Sequence, residues 1–391
     1  MSRFWNSRTR ALSPYMPGEQ PQNRACIKLN TNENPYPPSP RVMEAIARAA
    51  GGAGGCGERL RLYPDPACRE LREAVAERWG LKMEQVFAGN GSDEVLAFAF
   101  AAFFETGSPI AGGVVSADGF VTRREAAVLF PDITYSFYPV YARLWGVPYE
   151  CPRLQDDFSI DYTSFLAPCG GVVFPNPNAP TGMAMSREHV LAIARYHAAR
   201  GVAVIVDEAY VDFAGAADGA SRACGADPLS VIDSIEDHPN LLVVRTLSKS
   251  ASLAGLRAGF AVGNEELVEG LCRVRDSFNS YPVDRLALAG AAAAVRDAAY
   301  YEETTRKIIA TRERVSAALV EKGYTALPSS ANFLFIRHPA LTGAEFFTRL
   351  REAGILVRHF NTERAADFVR VSIGTDADMD VFLAVCAKEM L

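Results

Sequence analysis

Two apolar runs in the second half of the chain end in residues that can do chemistry. Val202 to Val206 runs into Asp207-Glu208-Ala209-Tyr210, and Leu241 to Val244 runs into Arg245-Thr246-Leu247-Ser248-Lys249, with Arg257 following after Leu253-Ala254-Gly255-Leu256. In parallel sheets, ligands sit beyond the carboxyl ends of strands. Taken alone, an aspartate after a strand reads as a helix cap, and a lysine there as a solvated loop residue. Their company changes the reading. Thr246, Ser248 and Arg257 put two small hydroxyls and a guanidinium beside the Lys249 amine, a set that suits a phosphate group. An amine next to a phosphate site fits a Schiff base with pyridoxal phosphate, whose ring nitrogen needs a carboxylate partner one strand away. Asp207 is placed to be that partner.

The elements that must hold these residues follow a simple pattern. From Cys68 onward, helical stretches alternate with short runs rich in β-branched residues: Gly170 to Phe174, Val202 to Val206 and Leu241 to Val244. That alternation predicts an α/β fold, a mostly parallel central sheet with helices on both faces. Leu286 to Val320 reads as one long Ala-rich helix. After it, Ala331 to Ile336, Gly354 to Val357 and Phe368 to Ile373 read as strands around one helix, a smaller α+β C-terminal domain. Segment 21–40 is rich in Pro and Asn, which favours extended chain and turns, and Arg41 to Ala50 is helical. The organisation expected is therefore an N-terminal arm (1–40), a large cofactor-binding domain (41–285), and a long linking helix with a small C-terminal domain (286–391). The glycine run from Gly51 to Gly57 lacks the Gly-Lys-Ser/Thr of a phosphate loop and reads as a flexible surface loop.

Composition narrows the function. The chain has 391 residues, 49% of them hydrophobic and 22% charged, with 40 Lys+Arg against 46 Asp+Glu for a net charge of -6. Such a length predicts two or three domains with cores of their own. A mildly acidic chain without long basic runs is a poor binder of nucleic acid. The eight cysteines form no C-x-x-C pair and read as buried thiols of a reducing compartment. Met1 to Gln20 has no apolar signal core, and no run approaches the roughly 18 apolar residues of a membrane span. A cytoplasmic protein is the expectation. The five histidines show neither H-E-x-x-H nor a Cys/His cluster, so no metal is expected; His189 and His197 read as helix-surface residues.

Beyond these two strand ends, the chain carries Asn32-Glu33-Asn34-Pro35, Tyr63-Pro64-Asp65-Pro66, Gly89-Asn90-Gly91-Ser92-Asp93-Glu94, Asn176-Pro177-Asn178-Ala179-Pro180-Thr181-Gly182, Asp207-Glu208-Ala209-Tyr210 and Ser248-Lys249 in this order. With the turn leading to Arg257, this set resembles the fold-type I, class II aminotransferases, in particular their histidinol-phosphate aminotransferase branch, over nearly the whole chain. The resemblance implies pyridoxal 5'-phosphate as cofactor and a homodimer that moves the amino group of histidinol phosphate to 2-oxoglutarate, in histidine biosynthesis. It implies that Lys249 links to the cofactor and carries the proton between the substrate Cα and the cofactor C4′. Asp207 would hold the ring nitrogen protonated, and Tyr210 would donate to the ring 3-oxygen. Tyr135 matches the aromatic that stacks on the ring, although its aromatic-rich surroundings read otherwise as a core strand. Thr246, Ser248, Arg257 and the backbone of Ser92 and Asp93 would hold the phosphate, the last two at a helix start whose free N–H groups favour an anion. Tyr63 would reach that phosphate from the partner subunit. Tyr15, Asn34, Arg358 and Arg370 match the substrate side, the arginines for carboxylate and substrate phosphate.

Two departures from the family pattern stand out. The family usually has Asn before Pro-Thr-Gly, bonding the ring 3-oxygen; here that position is Ala179, and Asn178 precedes it, so either the bond is lost or Asn178 supplies it indirectly. The segments 107–125 and 214–227 look like insertions near the mouth of the site. An aromatic amino-acid aminotransferase and a threonine-phosphate decarboxylase share the same residue set. A non-catalytic regulator that binds the same cofactor would need a DNA-binding domain, which neither end of the sequence offers.

Overall fold

The structure is a computed structural model, and it describes residues 3–20, 26–52, 57–106, 114–115, 121–122, 127–215 and 228–388. The segments 107–125 and 214–227, and the centre of the glycine run, lie largely outside the described residues.

A seven-stranded sheet forms the middle of the larger part, in the order Val86–Gly89, Gly259–Gly263, Leu241–Thr246, Val204–Asp207, Gly171–Pro175, Val128–Leu129, Tyr149–Glu150. All pairings are parallel except those of Gly259–Gly263, which is antiparallel to both neighbours. The expected mostly parallel sheet is thus present. Its strands read as unbroken apolar runs because both faces are covered. Val204 and Val206 point into one core with Val172, Phe174, Leu241 and Val243, while Ile205 points into the opposite core with Val173, Leu242 and Val244. This is the two-residue period of a strand.

The smaller part is a four-stranded antiparallel sheet, ordered Thr325–Ala326, Phe333–Arg337, Phe368–Ser372, Arg358–His359. Leu29, Phe333, Phe346, Val371 and Phe382 share its separate core. The chain's beginning is stitched to this part: Ile27–Lys28 pairs in parallel with Ile355–Leu356.

Three local expectations are corrected. The single long helix from Leu286 is two, Arg285–Arg296 and Ala298–Glu321, because Asp297 leaves helical geometry (φ -98°, ψ 52°). The first of these packs its alanines into the core below the central sheet. The aromatic cluster 134–137 is a turn opening into the helix Tyr138–Trp145, not a strand. His197, expected on a helix surface, is fully buried, and its imidazole is matched inside by the Phe165 carbonyl at 2.8 Å.

Candidate active site

Parallel strands end together, so the register of the central sheet brings the chemistry to one edge. Asp207 pairs with Val244, two residues short of the Thr246 that ends its strand. Across that end, Thr246 pairs with Gly259, and Gly259 in turn with Gly89. From there the chain turns through Asn90 into the helix Gly91–Phe103. A cavity of about 410 Å³ opens above this edge, lined among others by Tyr15, Asn32, Tyr135, Tyr210, Lys249 and Arg370. Asp93, Ala179, Arg257 and Arg358 also face it.

Asp207 is buried at the end of its strand, next to the cavity-lining Tyr210 in sequence but not itself among the residues that line the cavity. Alternation along its strand turns it to the same face as Ile205, toward Tyr138, whose hydroxyl donates to Oδ2 at 3.1 Å; the Ala209 N–H donates to Oδ1 at 3.1 Å. Burial pushes its carboxyl up to about 7, against the pull of these two bonds, and no cationic side chain pairs with it among the described residues. A buried carboxylate in this state favours a cation beside it. Lys249 sits in the wall with its amine donating to the Thr31 carbonyl at 3.1 Å. Burial, and next the positive charge of Arg370, bring it down to about 8, so far more of the amine is unprotonated and nucleophilic near neutral pH than for an ordinary lysine.

Next to the lysine lies a cradle for an anion. The helix Gly91–Phe103 begins without a side-chain cap, so its first N–H groups, Ser92 and Asp93 among them, are open to a ligand. A Cβ on Gly259 would lie 2.5 Å from the Ser92 nitrogen, and one on Gly91 would lie 2.8 Å from the Arg257 guanidinium. Only glycines let these pieces close so tightly. Arg257 donates to Asp93 Oδ2 at 2.9 Å and to Ser248 Oγ at 3.4 Å, while the Ser248 N–H donates to Thr246 Oγ1 at 3.1 Å. Asp93 also accepts from the Tyr135 hydroxyl at 2.6 Å, which fixes that ring against the cavity.

On the far wall, Arg358 and Arg370 are direct partners across two antiparallel strands, so their side chains share a face. Like charges so placed repel, and burial with Arg358 beside it lowers the Arg370 pKa. The Arg370 Nη2 donates to the Asn30 carbonyl at 3.2 Å, and its buried Nε has no partner among the described residues. Arg358 donates to the Met16 carbonyl at 3.3 Å, and Tyr15 packs on Phe137 with ring centres 4.3 Å apart. Two guanidiniums facing one cavity define a site for anionic groups.

The remaining expected residues lie elsewhere. Asn178 is fully buried and turned from the cavity: its amide donates to the Ile133 carbonyl and Thr181 Oγ1 and accepts from Thr134. Both its amide protons are taken by neighbouring loop groups, and Ala179 lines the cavity instead. Asn34, expected at the substrate, instead donates to the backbone carbonyls of Lys249 and Ser250, each at 3.1 Å; it braces the lysine from behind. Tyr63 is 78% exposed on the outer surface, stacked on Tyr281, and is not among the residues lining the cavity of its own chain. Sequence reasoning missed Tyr138, Asn32 and the Asp93 carboxylate as site groups. Asn32 stood inside a quoted motif, but nothing in its spacing says that it reaches Tyr210. Among the described residues no group of His, Cys, Asp and Glu could hold a metal ion.

A buried amine, a carboxylate awaiting a cation and an anion cradle on a mostly parallel sheet are the outfit of an aminotransferase. The sequence matches the family aminotransferase class I and II over residues 24–385, and the chain belongs to it. Its relatives are more particular. It is 50% identical over 391 residues to histidinol-phosphate aminotransferase 1 of Bordetella parapertussis, covering 99% of each chain. It is 49% identical to the histidinol-phosphate aminotransferase of Clostridium acetobutylicum, with 98% of each covered. Among solved structures it resembles the histidinol-phosphate aminotransferase of Sinorhizobium meliloti in complex with pyridoxal-5'-phosphate, with a TM-score of 0.82 and 25% identity over all of this chain and 98% of the other.

Proposed function

We propose that the enzyme transfers the amino group of histidinol phosphate to 2-oxoglutarate with pyridoxal phosphate as cofactor. The observation that carries this reading is the facing pair Arg358 and Arg370 in the cavity of Lys249. One site must accept a phosphate-bearing donor and a dicarboxylate in turn, and two adjacent guanidiniums match both. Identity of 50% and 49% over nearly the full length to histidinol-phosphate aminotransferases of two species supports the same substrate.

The residues present fit the cofactor. Lys249 would hold its aldehyde carbon, Asp207 its ring nitrogen, Tyr210 its ring oxygen, and Tyr135 its ring face. The uncapped start of the helix Gly91–Phe103, with Thr246, Ser248 and Arg257, would hold its phosphate. When bound, the cofactor supplies an electron sink for the bond broken at the substrate Cα. The chain's own groups do the rest. Asp207, ionised by a cation at its side, keeps a proton on the ring nitrogen. Lys249, with an amine half-deprotonated near pH 8, accepts and returns the Cα proton. Arg370 orients the donor from the opposite wall, in a cavity that Tyr15, Pro17, Gly18 and Gln20 also line.

We read the protein as a cytoplasmic homodimer in which Tyr63 of one subunit completes the phosphate site of the other. The outward exposure of Tyr63 and Tyr281 supports this, and the thiols Cys68, Cys169 and Cys272, which form no disulfide, fit a reducing compartment. No helix among the described residues is long and apolar enough to cross a membrane. The division into an arm (1–40), a large domain (41–285) and a small domain (286–391) draws support from the separate cores, although Arg285–Arg296 packs with the large one.

The test is to add histidinol phosphate, glutamate or an aromatic amino acid to the purified holoenzyme and follow the visible absorbance of the cofactor. Fastest bleaching with histidinol phosphate, without carbon dioxide release, is expected. Preference for the aromatic donor would replace this substrate, and carbon dioxide from threonine phosphate would replace the reaction.

A further inference from the structure

Tyr210 is buried at the cavity wall, and its hydroxyl has one protein partner in the hydrogen bonds of the described residues: Asn32 Nδ2 donates to it at 2.9 Å. Asn32 is itself 1% exposed and held in the left-handed region at φ 57°, a conformation Asn tolerates when local bonds fix it. Four bonds do so. Its N–H donates to Ser372 Oγ at 2.8 Å, its carbonyl accepts from Asn332 Nδ2 at 2.9 Å, its Oδ1 accepts from Ser372 Oγ at 2.9 Å, and its Nδ2 reaches Tyr210.

The direction of the amide matters, because an exchange of its oxygen and nitrogen would reverse the bond to Tyr210. The Ser372 hydroxyl decides it. That hydroxyl is buried, already accepts from the Asn32 N–H, and has a single proton to donate. Only with Oδ1 on its side does the proton find an acceptor; with the amide reversed it would be stranded, at a cost of about 1–3 kcal/mol. Asn32 therefore donates to Tyr210. A phenolic O–H lies near the ring plane with two opposed orientations, and a donor on one side of the oxygen selects the other for the proton.

We propose that Asn32 is a positioning residue for the reaction: it occupies the acceptor side of the Tyr210 hydroxyl and so aims the Tyr210 proton into the cavity. The aimed proton serves the cofactor's ring oxygen in a cavity where Ala179, a residue with no side-chain donor, is a lining residue. In a site with one donor to that oxygen in place of two, its orientation cannot be left to chance. This inference rests on the cofactor reading above.

The experiment reconstitutes wild type, Asn32→Gly and Asn32→Asp with pyridoxal phosphate, each with Tyr210 intact and with Tyr210→Phe, and titrates the visible band of the bound cofactor with pH. Glycine keeps the left-handed backbone and removes the amide. A ring oxygen that loses its donor holds the neighbouring proton more firmly. With Tyr210 intact, Asn32→Gly should therefore raise the midpoint by roughly half to one pH unit, the scale of one neutral hydrogen bond. In Tyr210→Phe it should add nothing. Asn32→Asp keeps the shape and the Ser372 contact but draws the Tyr210 proton to itself, so its midpoint should rise further. A midpoint unmoved by either substitution, or moved by Asn32→Gly equally in both backgrounds, overturns the role of Asn32 and leaves the cofactor reading standing. If glycine prevents folding, the aspartate arm decides: a rise that is larger with Tyr210 intact than in Tyr210→Phe supports the role, and an equal rise in both, which the added charge alone would give, overturns it. A wild type that forms no visible band overturns the cofactor reading and this inference with it.

Discussion

Asp207 is a buried carboxylate bonded by Tyr138 and the Ala209 N–H, with no cationic side chain beside it among the described residues. Raised to about 7 from an ordinary 3.8, it is protonated in the folded cofactor-free protein over a range where the unfolded chain is ionised. The folded state then binds more protons than the unfolded one, so stability must fall as pH rises from about 4 to about 7. Denaturant unfolding of the cofactor-free protein at several pH values should show this slope, and Asp207→Asn should flatten it. The same substitution should cut turnover of the holoenzyme by about 100-fold or more, since an amide cannot stabilise the charge it is meant to face; a mutant with normal kcat and a raised KM would count against the role. On the proposed reading, Arg358 and Arg370 divide the substrate anions between them. A charge-assisted bond to a phosphate contributes about 1.5–3 kcal/mol, so Arg358→Ala should lower kcat/KM for histidinol phosphate by roughly one to two orders of magnitude. An unphosphorylated donor should lose less. Arg370→Ala should impair glutamate as well, because its guanidinium lies deeper. Equal losses on all donors with Arg358→Ala would remove the phosphate assignment.

At the scale of elements, the anion cradle depends on close approach more than on charge. Gly259→Ala would place a methyl 2.5 Å from the Ser92 nitrogen and 2.7 Å from the Gly91 carbonyl carbon, with backbone on both sides and nothing flexible to yield. Such overpacking costs about 1–3 kcal/mol. The helix start must retreat, so the variant should lose cofactor in dialysis faster than wild type and melt lower; equal retention would mean that the helix start does not hold the phosphate. Here too the limits of reading a sequence become visible. Strands ending in Asp207 and Lys249 were legible because both faces of a parallel sheet demand apolar runs, and a chemical residue after such a run stands out. The break at Asp297 was not, since alanine-rich segments on either side keep the same helical pattern and a single residue outside helical geometry leaves no mark in it. Tyr135 read as strand because aromatic residues favour sheets, whereas the Tyr135–Asp93 bond and the packing of Phe137 on Tyr141 pin it in a turn. Asn178 was assigned by its place in a motif, and only the fold reveals that neighbouring loop groups take both its amide protons.

For the whole molecule, the exposure of Tyr63 makes subunit exchange a sharp probe. Lys249→Ala and Tyr63→Phe should each be impaired, the first almost completely, the second through weaker cofactor retention. Mixed and allowed to exchange, they should regain activity, because a mixed dimer holds one site with both groups intact. No recovery after verified exchange would mean that each chain builds its site alone. A different consequence follows from the stitching of the chain's beginning to its end. Ile27–Lys28 has its strand partner at Ile355–Leu356, and Asn32 bonds Ser372, 340 positions later. A ribosome adding about 5–20 residues per second needs roughly 20–70 s to cover that distance. Throughout that interval the large core can form, yet Asn32 has no Ser372 to fix it, Lys249 emerges before its wall is closed, and Arg370 does not yet exist. The chain's own share of the site is therefore completed late, after the last strand has been made, and nascent chains arrested before Phe368 should be compact but inert.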